Sequence, residues 1–311
     1  MISVSQHYIL KILFLIASIW LTPGLGFSQY VANVPEAFKA LNSEAEVILI
    51  NNKIKVPSES GHFQGVQLIE KKGTEKLLIS GSSLTKAYVV QIDLKKRKTD
   101  KLITLMTDPY RHAGGIQVSG PYMIVGIEDN ILKTTSKVCL YNYRNNALYK
   151  SRPNIIIERV GESKQKTAGA TGLLALDNHY LAVAANWDSR NWDFYQIDTE
   201  KGEHKFLHSF AVPNDWGSYQ SINLIKDDSA IYAIGFHKKD AAGQADLILV
   251  SELGSFEPIM EKIDSKTFNC LNGVDFNAAV GLQVDSEGKL VIWSTQGDPG
   301  RSITVNKFIQ N

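Results

Sequence analysis

The pattern of apolar and polar positions changes character once, early in the chain. From Ile12 to Leu21 the residues are apolar apart from Ser18, a run of about ten where a hydrocarbon core needs roughly twenty. His7 and Lys11 precede the run, Pro23-Gly24 ends it, and small residues at Gly26 and Ser28 lead up to Gln29. That layout predicts a secretory signal peptide over residues 1–28, cut before Gln29. No cysteine lies near the cut, so a lipid anchor is not expected. The mature protein is predicted to be exported, to a periplasm or beyond the cell, without a membrane span. Residues 29–45 read as an extension carrying one short helix over Pro35 to Leu41, with proline in its first turn. Residues 46–311 read as a single domain.

Within that domain the periodicity is that of strands. His62-Phe63-Gln64-Gly65-Val66-Gln67-Leu68-Ile69, His112-Ala113-Gly114-Gly115-Ile116-Gln117-Val118 and Tyr219-Gln220-Ser221-Ile222-Asn223-Leu224-Ile225 are one element written three times. Weaker copies stand at Ala170 to Leu176 and Ala278 to Val284. Successive copies lie roughly fifty to sixty residues apart, a spacing of sheet repeats rather than helical solenoids. After each copy come a short turn and a second strand, such as Tyr122-Met123-Ile124-Val125-Gly126, then a third strand, such as Lys137 to Tyr143. Fourth strands are predicted at Lys101 to Met106, Asn154 to Glu158, His204 to Phe210 and Pro258 to Ile263. The last unit lacks one, and Glu46 to Ile50, continuing through Lys53 to Val56, has no sheet of its own. Pairing that segment with Ile303 to Ile309 would remove both free edges.

This repeated block resembles the β-propeller superfamily across essentially the whole mature chain. The resemblance implies an all-β, five-bladed β-propeller closed by pairing of the N-terminal strand with the C-terminal blade. The element around His112 carries no Trp-Asp signature, kelch glycine pair or catalytic propeller motif, so the resemblance implies a scaffold and not an activity.

Composition narrows the partners. The net charge is +1 and acids and bases are interspersed, which gives no sustained field for nucleic acid or an anionic membrane. The densest basic stretch, Lys95 to Lys98, sits beside Asp93 and Asp100 and reads as a solvated turn. Cys139 and Cys270 are too few for a disulfide framework and lack zinc spacing; Cys139 reads as a small core residue. No phosphate loop, nucleophile elbow, zinc helix or calcium loop is present, and neither a cofactor nor a metal is expected.

Candidate chemistry follows from loop lengths, because sites concentrate on long loops held by rigid frameworks. Turns from first to second strands are minimal, whereas connections entering the first strands and those from second to third strands are longer and share one face. The entering connections carry His62, Arg111, His112, Trp216 and Tyr219; the others carry Glu128, Asn186, Trp187, Asp188, Arg190 and His237. Rings beside carboxylates, amides and guanidinium groups suit a glycan or another polar small molecule. His62 and His112 occupy the same place in neighbouring repeats, so their imidazoles could meet at the channel mouth for acid–base work, or bind a metal if Glu128 or His237 joined them. Histidines that only hydrogen-bond adjacent backbone are the commoner case. Gln67, Gln117 and Asn223 recur inside the first strands and are predicted to bond between sheets or to channel water.

A glycosidase needs paired carboxylates; none opens a first strand, which demotes that reading and leaves Glu128, Asp188 and Asp298 on loops as its candidates. A lyase using His112, Tyr219 and Arg111 or Arg190 fits better. The expectation is an exported, non-catalytic binding or interaction protein whose loop-rich face takes a glycan, another polar ligand or an extracellular protein. The alternative is a lyase or hydrolase acting on an extracellular glycan or glycoside.

Overall fold

A computed structural model describes residues 29–57, 59, 61–251, 253 and 259–311; the leader expected over residues 1–28 lies outside the described residues. Helix α1 (Val34–Lys39) opens the fold. Asn33 caps it, its side-chain oxygen accepting the Glu36 N–H at 3.0 Å, with Pro35 in the first turn. Strand β1 (Glu46–Asn51) precedes a repeating meander of β2 (Phe63–Lys71), β3 (Thr74–Gly81), β4 (Lys86–Asp93) and β5 (Lys98–Thr107). The next units are β6 (Tyr110–Ser119), β7 (Tyr122–Asp129), β8 (Thr135–Asn142) and β9 (Ile155–Val160), then β10 (Ala170–Ala175), β11 (Tyr180–Ala185), β12 (Asn191–Asp198) and β13 (Glu203–Ala211). They are followed by β14 (Ser221–Lys226), β15 (Ile231–Lys239), β16 (Ala242–Ser251) and β17 (Ile259–Phe268), and last β18 (Val280–Val284), β19 (Leu290–Thr295) and β20 (Ser302–Ile309). Consecutive strands within each unit pair antiparallel. No helix among the described residues is long and apolar enough to cross a membrane.

The predicted repeats fall on β2, β6, β10, β14 and β18, and these first strands contact one another in that cyclic order. Their approach is close enough to exclude side chains. A Cβ on Gly65 would stand 2.5 Å from the Ile116 nitrogen, and one on Gly114 would stand 2.2 Å from the Gly169 carbonyl oxygen. Formal pairing between units is limited to single residues, Val280 with Gly65 and Ala170 with Gly115. β1 lies antiparallel to β20, from Glu46 opposite Lys307 to Asn51 opposite Ser302, and touches β5 only where Asn51 meets Lys98. Those contacts link eight strands, β1-β20-β19-β18-β2-β3-β4-β5, into a circuit of barrel form. The strand expected to run on through Val56 stops at Asn51. There the Asn52 side chain turns to donate to the Gly300 carbonyl at 2.8 Å, and the Lys53 N–H goes to Thr99 Oγ1 at 2.7 Å.

Apolar side chains fill the spaces between units, and buried polar groups stitch the axis. Gln117, fully buried, accepts the Leu173 N–H at 2.7 Å and the Leu224 N–H at 2.8 Å, and donates to the Leu224 carbonyl at 2.7 Å. Asn223 accepts the Leu282 N–H at 2.5 Å, and Gln67 accepts the Val118 N–H at 3.2 Å. These amides therefore satisfy backbone of neighbouring units rather than present themselves to a ligand. At the C-terminal ends of the first strands, Gln29 donates to the Val118 carbonyl and accepts from Ser119 Oγ at 2.6 Å. It thus lies at the end of β6 opposite His112. α1 buries Val34, Ala37 and Phe38 in the cluster that includes Ile225, Tyr232 and Phe268.

Candidate functional site

At the N-terminal ends of the first strands lies a cavity of about 110 Å³. His62, His112 and Glu128 line its floor side, and Asn186, Trp187, Asp188 and Tyr219 line the rest, together with Gln64, Gly169 and Gln220. The last three were missed by sequence reasoning; two of them, Gln64 and Gln220, sit inside the repeated motif two and one positions past His62 and Tyr219.

The chemistry centres on one cross-strand pair. His112 on β6 stands opposite Glu128 on β7, in a stretch of β6 where irregular register flanks Ala113. His112 Nε2 lies 3.7 Å from Glu128 Oε1. The other carboxyl oxygen accepts the Ala168 N–H at 2.8 Å, whereas the buried Oε1 has no hydrogen-bond partner among the described residues. Burial pushes the Glu128 carboxyl up to about 7, against the lowering effects of the Ala168 N–H and the Arg159 and Lys133 charges. Burial, aided by His62 and Lys133, pushes His112 down to about 3. Near neutrality the pair is thus an uncharged imidazole facing a carboxylic acid that still holds much of its proton.

Neighbouring groups fix this pair. His62 and His112 approach with ring centres 6.1 Å apart at 73°, and the Gln64 amide nitrogen lies 3.4 Å from His112 Nε2. His62 Nδ1 is 2.9 Å from the Phe63 carbonyl, the local backbone contact common for such histidines. Trp187 stacks on His112 at 6.3 Å and 24°, and Lys133 Nζ lies 3.6 Å from the Trp187 ring centre. Asp188 (φ 61°) and Ser189 (φ 52°) occupy consecutive left-handed conformations, costing about 1–3 kcal/mol each in non-glycine residues. The turn is held by the Trp187 N–H on Thr167 Oγ1 at 2.6 Å and Ser189 Oγ on the Tyr219 carbonyl at 2.7 Å.

Four of the residues expected at the site lie elsewhere. Arg111 turns outward to the Leu84 carbonyl at 2.6 Å and to Asp108 at 3.6 Å. Arg190 folds back onto the carbonyls of Asp188, Pro213, Trp216 and Gly217 and pins two loops together. Trp216 packs in the core, tilted against Phe210 with ring centres 6.1 Å apart. His237 stands behind Tyr219, its Nε2 3.5 Å from Asp246. Tyr219 reaches the cavity, but its hydroxyl donates to Asp246 Oδ2 at 2.7 Å. The lyase set is corrected accordingly: both arginines satisfy backbone carbonyls and the tyrosine proton is engaged.

Asp246 belongs to a buried polar motif that repeats. It accepts from Gln244 at 3.0 Å and Ser265 at 2.7 Å, and Asp193 on β12 likewise accepts from Asn191 at 3.0 Å and from Ser209. Burial opposes ionisation of both. For Asp246 that is outweighed by His237, Ser265, Gln244 and Tyr219, which hold it well below the usual carboxylate range. For Asp193, Lys166, Ser209 and Arg159 bring it down to about 2. Both are structural anions, in contrast to Glu128.

No family model matches the chain, and no curated protein matches it by sequence. Similar solved structures exist. The GH43 endo-arabinanase from Bacillus licheniformis superposes with a TM-score of 0.53 at 12% identity, over 82% of this chain and 96% of the arabinanase. The catalytic domain of the GH62 α-L-arabinofuranosidase from Coprinopsis cinerea gives 0.49 at 9% identity, over 84% and 96%. An exo-β-1,3-galactanase from Phanerochaete chrysosporium gives 0.48 at 8% identity over 83% of this chain; the chain spans 62% of the galactanase's length. At these identities the likeness is one of fold: the chain is a β-propeller. The expectation of a non-catalytic binding propeller is corrected here. The arabinanase that it resembles in fold is a glycoside hydrolase, and the loop-rich face holds a cavity lined by a buried, protonatable carboxyl group.

Proposed function

We propose that this chain is an exported enzyme that hydrolyses a glycosidic bond, with Glu128 as the general acid. In this reading residues 1–28 are a cleaved leader, and residues 46–311 form one five-bladed domain closed by β1 on β20. Hydrolysis requires an acid that keeps its proton at working pH and a second carboxylate to assist water or attack the anomeric carbon. The observation that carries the reading is Glu128, whose carboxyl stays protonated up to about 7 because it is buried, with its free oxygen lacking a partner among the described residues. Asp188, the other carboxylate lining the cavity, is assigned the second role. In the acid step the Glu128 Oε1–H proton passes to the glycosidic oxygen as the bond to the anomeric carbon breaks. The charge left on Glu128 is received by the Ala168 N–H and the nearby Lys133 and Arg159. His112 stays neutral and excludes a competing cation, and Trp187 offers an apolar face at the cavity wall. At water's share of liquid volume, about 30 Å³, the cavity of about 110 Å³ holds roughly four waters, room for part of one sugar ring and not for a buried oligomer.

The test is product detection with purified mature protein on aryl glycosides, arabinan and β-1,3-galactan. Wild type should release sugar, and Glu128→Gln should lose about 10²–10⁴-fold in kcat while still binding the product sugar. Release of no sugar from any substrate, or undiminished release from arabinan or β-1,3-galactan by Glu128→Gln, would refute the proposal.

A further inference from the structure

On the opposite side of the molecule, between the unit β2–β5 and the unit β6–β9, lies a second cleft of about 460 Å³. Lys71, Lys72, Lys76 and Lys101 line it with Gln91 and Tyr149. Strand alternation brings these cations together. Lys76 stands opposite Asp93 and Gln91 opposite Lys101 in the β3–β4–β5 ladders, on the same side as Leu78, which packs toward the second unit. Glu75, opposite Glu70, follows the phase of Leu77, which packs on the other side. The carboxylates that could neutralise the cleft from the hairpin therefore face away.

Within the cleft, Asp93 and Asp100 both engage Lys76, at 2.7 and 3.3 Å. Among the described residues, none of Lys71, Lys72 and Lys101 has a carboxylate within 4.0 Å. Lys71 is held in place: its Nζ donates to the Tyr143 carbonyl at 3.3 Å and to Asn146 Oδ1 at 2.9 Å, and lies 3.3 Å over the Tyr149 ring. Lys101 approaches the same ring at 5.2 Å, and the Tyr149 hydroxyl is fixed by donating to Gln91 Oε1 at 2.6 Å. Burial lowers the Lys71 pKa, and the Lys72 and Lys101 charges lower it further, which is the mark of like charges gathered without a counterion.

We infer that this cleft is a second binding site, for a polyanionic sugar, and that its occupant is a glycan bearing more than one sulfate ester. Three ammonium groups without a carboxylate within 4.0 Å, Lys71 held in place among them, match the spread negative charge of such a sugar, and the flanking cleft leaves room for its ring. The inference does not depend on cleavage at the cavity, so either reading can fail alone. The test is isothermal titration of the mature protein with a sulfated heparin disaccharide, its desulfated counterpart, inorganic sulfate and inorganic phosphate. Wild type should bind the sulfated sugar, with affinity falling as salt rises from 50 to 200 mM, and should not bind the desulfated one. Lys71→Gln/Lys101→Gln should weaken it at least tenfold with an unchanged melting temperature; if that variant melts early, Lys72→Gln alone should still weaken binding several-fold. Inorganic sulfate binding as tightly as the sulfated sugar would support the oxyanion site and overturn the glycan as its occupant. Equal binding by both folded variants, or no binding of any sulfated probe, would overturn the inference.

Discussion

Replacing Glu128 by Gln should stabilise the protein at alkaline pH and not at acid pH. Glu128 holds its proton up to about 7 in the folded chain against 4.5 for the free group. The folded state therefore binds a proton that the unfolded chain releases once pH passes 4.5. Stability linked to this group is fully present below pH 4.5 and is lost as pH rises through about 7. A gap of about two and a half pKa units corresponds to about 3 kcal/mol. His112 works in the opposite direction: held down to about 3 against 6.5, it contributes stability that is present above pH 6.5 and lost as pH falls toward 3. Between roughly pH 4.5 and 6.5 the two slopes oppose each other, because folding moves one proton from the histidine to the glutamate with little net uptake.

Glutamine keeps the shape of the protonated acid and cannot ionise, so it removes the alkaline half of this balance alone. Urea unfolding of wild type and Glu128→Gln at pH 5.0 and pH 8.5 reads the effect directly. Relative to its difference from wild type at pH 5.0, where part of the gap is already lost, the variant should gain about 2.5 kcal/mol at pH 8.5. An unchanged difference between the two pH values, or a gain by wild type, would refute the assignment of a raised pKa to Glu128.

Other substitutions probe the scaffold that presents the site. Gln117→Leu strands the Leu173 and Leu224 N–H groups and the Leu224 carbonyl, at about 1–3 kcal/mol per orphaned group; a loss under about 1 kcal/mol in urea unfolding would contradict the axial role. Gly114→Ala forces a Cβ to within 2.2 Å of the Gly169 carbonyl and should cost about 1–3 kcal/mol by the same measurement. Arg159→Met leaves the fully buried Asp193 with Lys166 as its remaining cation; about 3 kcal/mol should be lost, and a neutral result would show that Lys166 alone suffices.

Much of the scaffold was legible because the repeat is written in residue types that the fold requires. Gly65 and Gly114 mark where backbones meet, and Gln67, Gln117 and Asn223 mark where those backbones need partners. The convergence of His62 and His112 follows from the same logic, since equivalent positions of adjacent units meet at the axis. Glu128 was legible as a candidate, and as a third metal ligand beside the histidines, but not as an acid facing His112: register alone, across β6 and β7, sets it there. Looking for carboxylates at the start of first strands demoted a glycosidase and left Glu128 open only as a loop carboxylate, whereas it comes from the end of a second strand. Arg111, Arg190 and Trp216 were misassigned because loop membership says nothing of where a long side chain turns, and nearby carbonyls or core space drew them away. The lysine cleft was hidden by its short turns, which read as plain; its residues come together from four strands and the next unit.

The most direct test of the site is a carboxyl ¹³C NMR titration of wild type against Glu128→Gln. A resonance absent from the variant and titrating near pH 7 is the predicted result. Its titration near 4.5 would mean that Glu128 is an ordinary carboxylate at neutral pH, and would contradict its role as the proton donor.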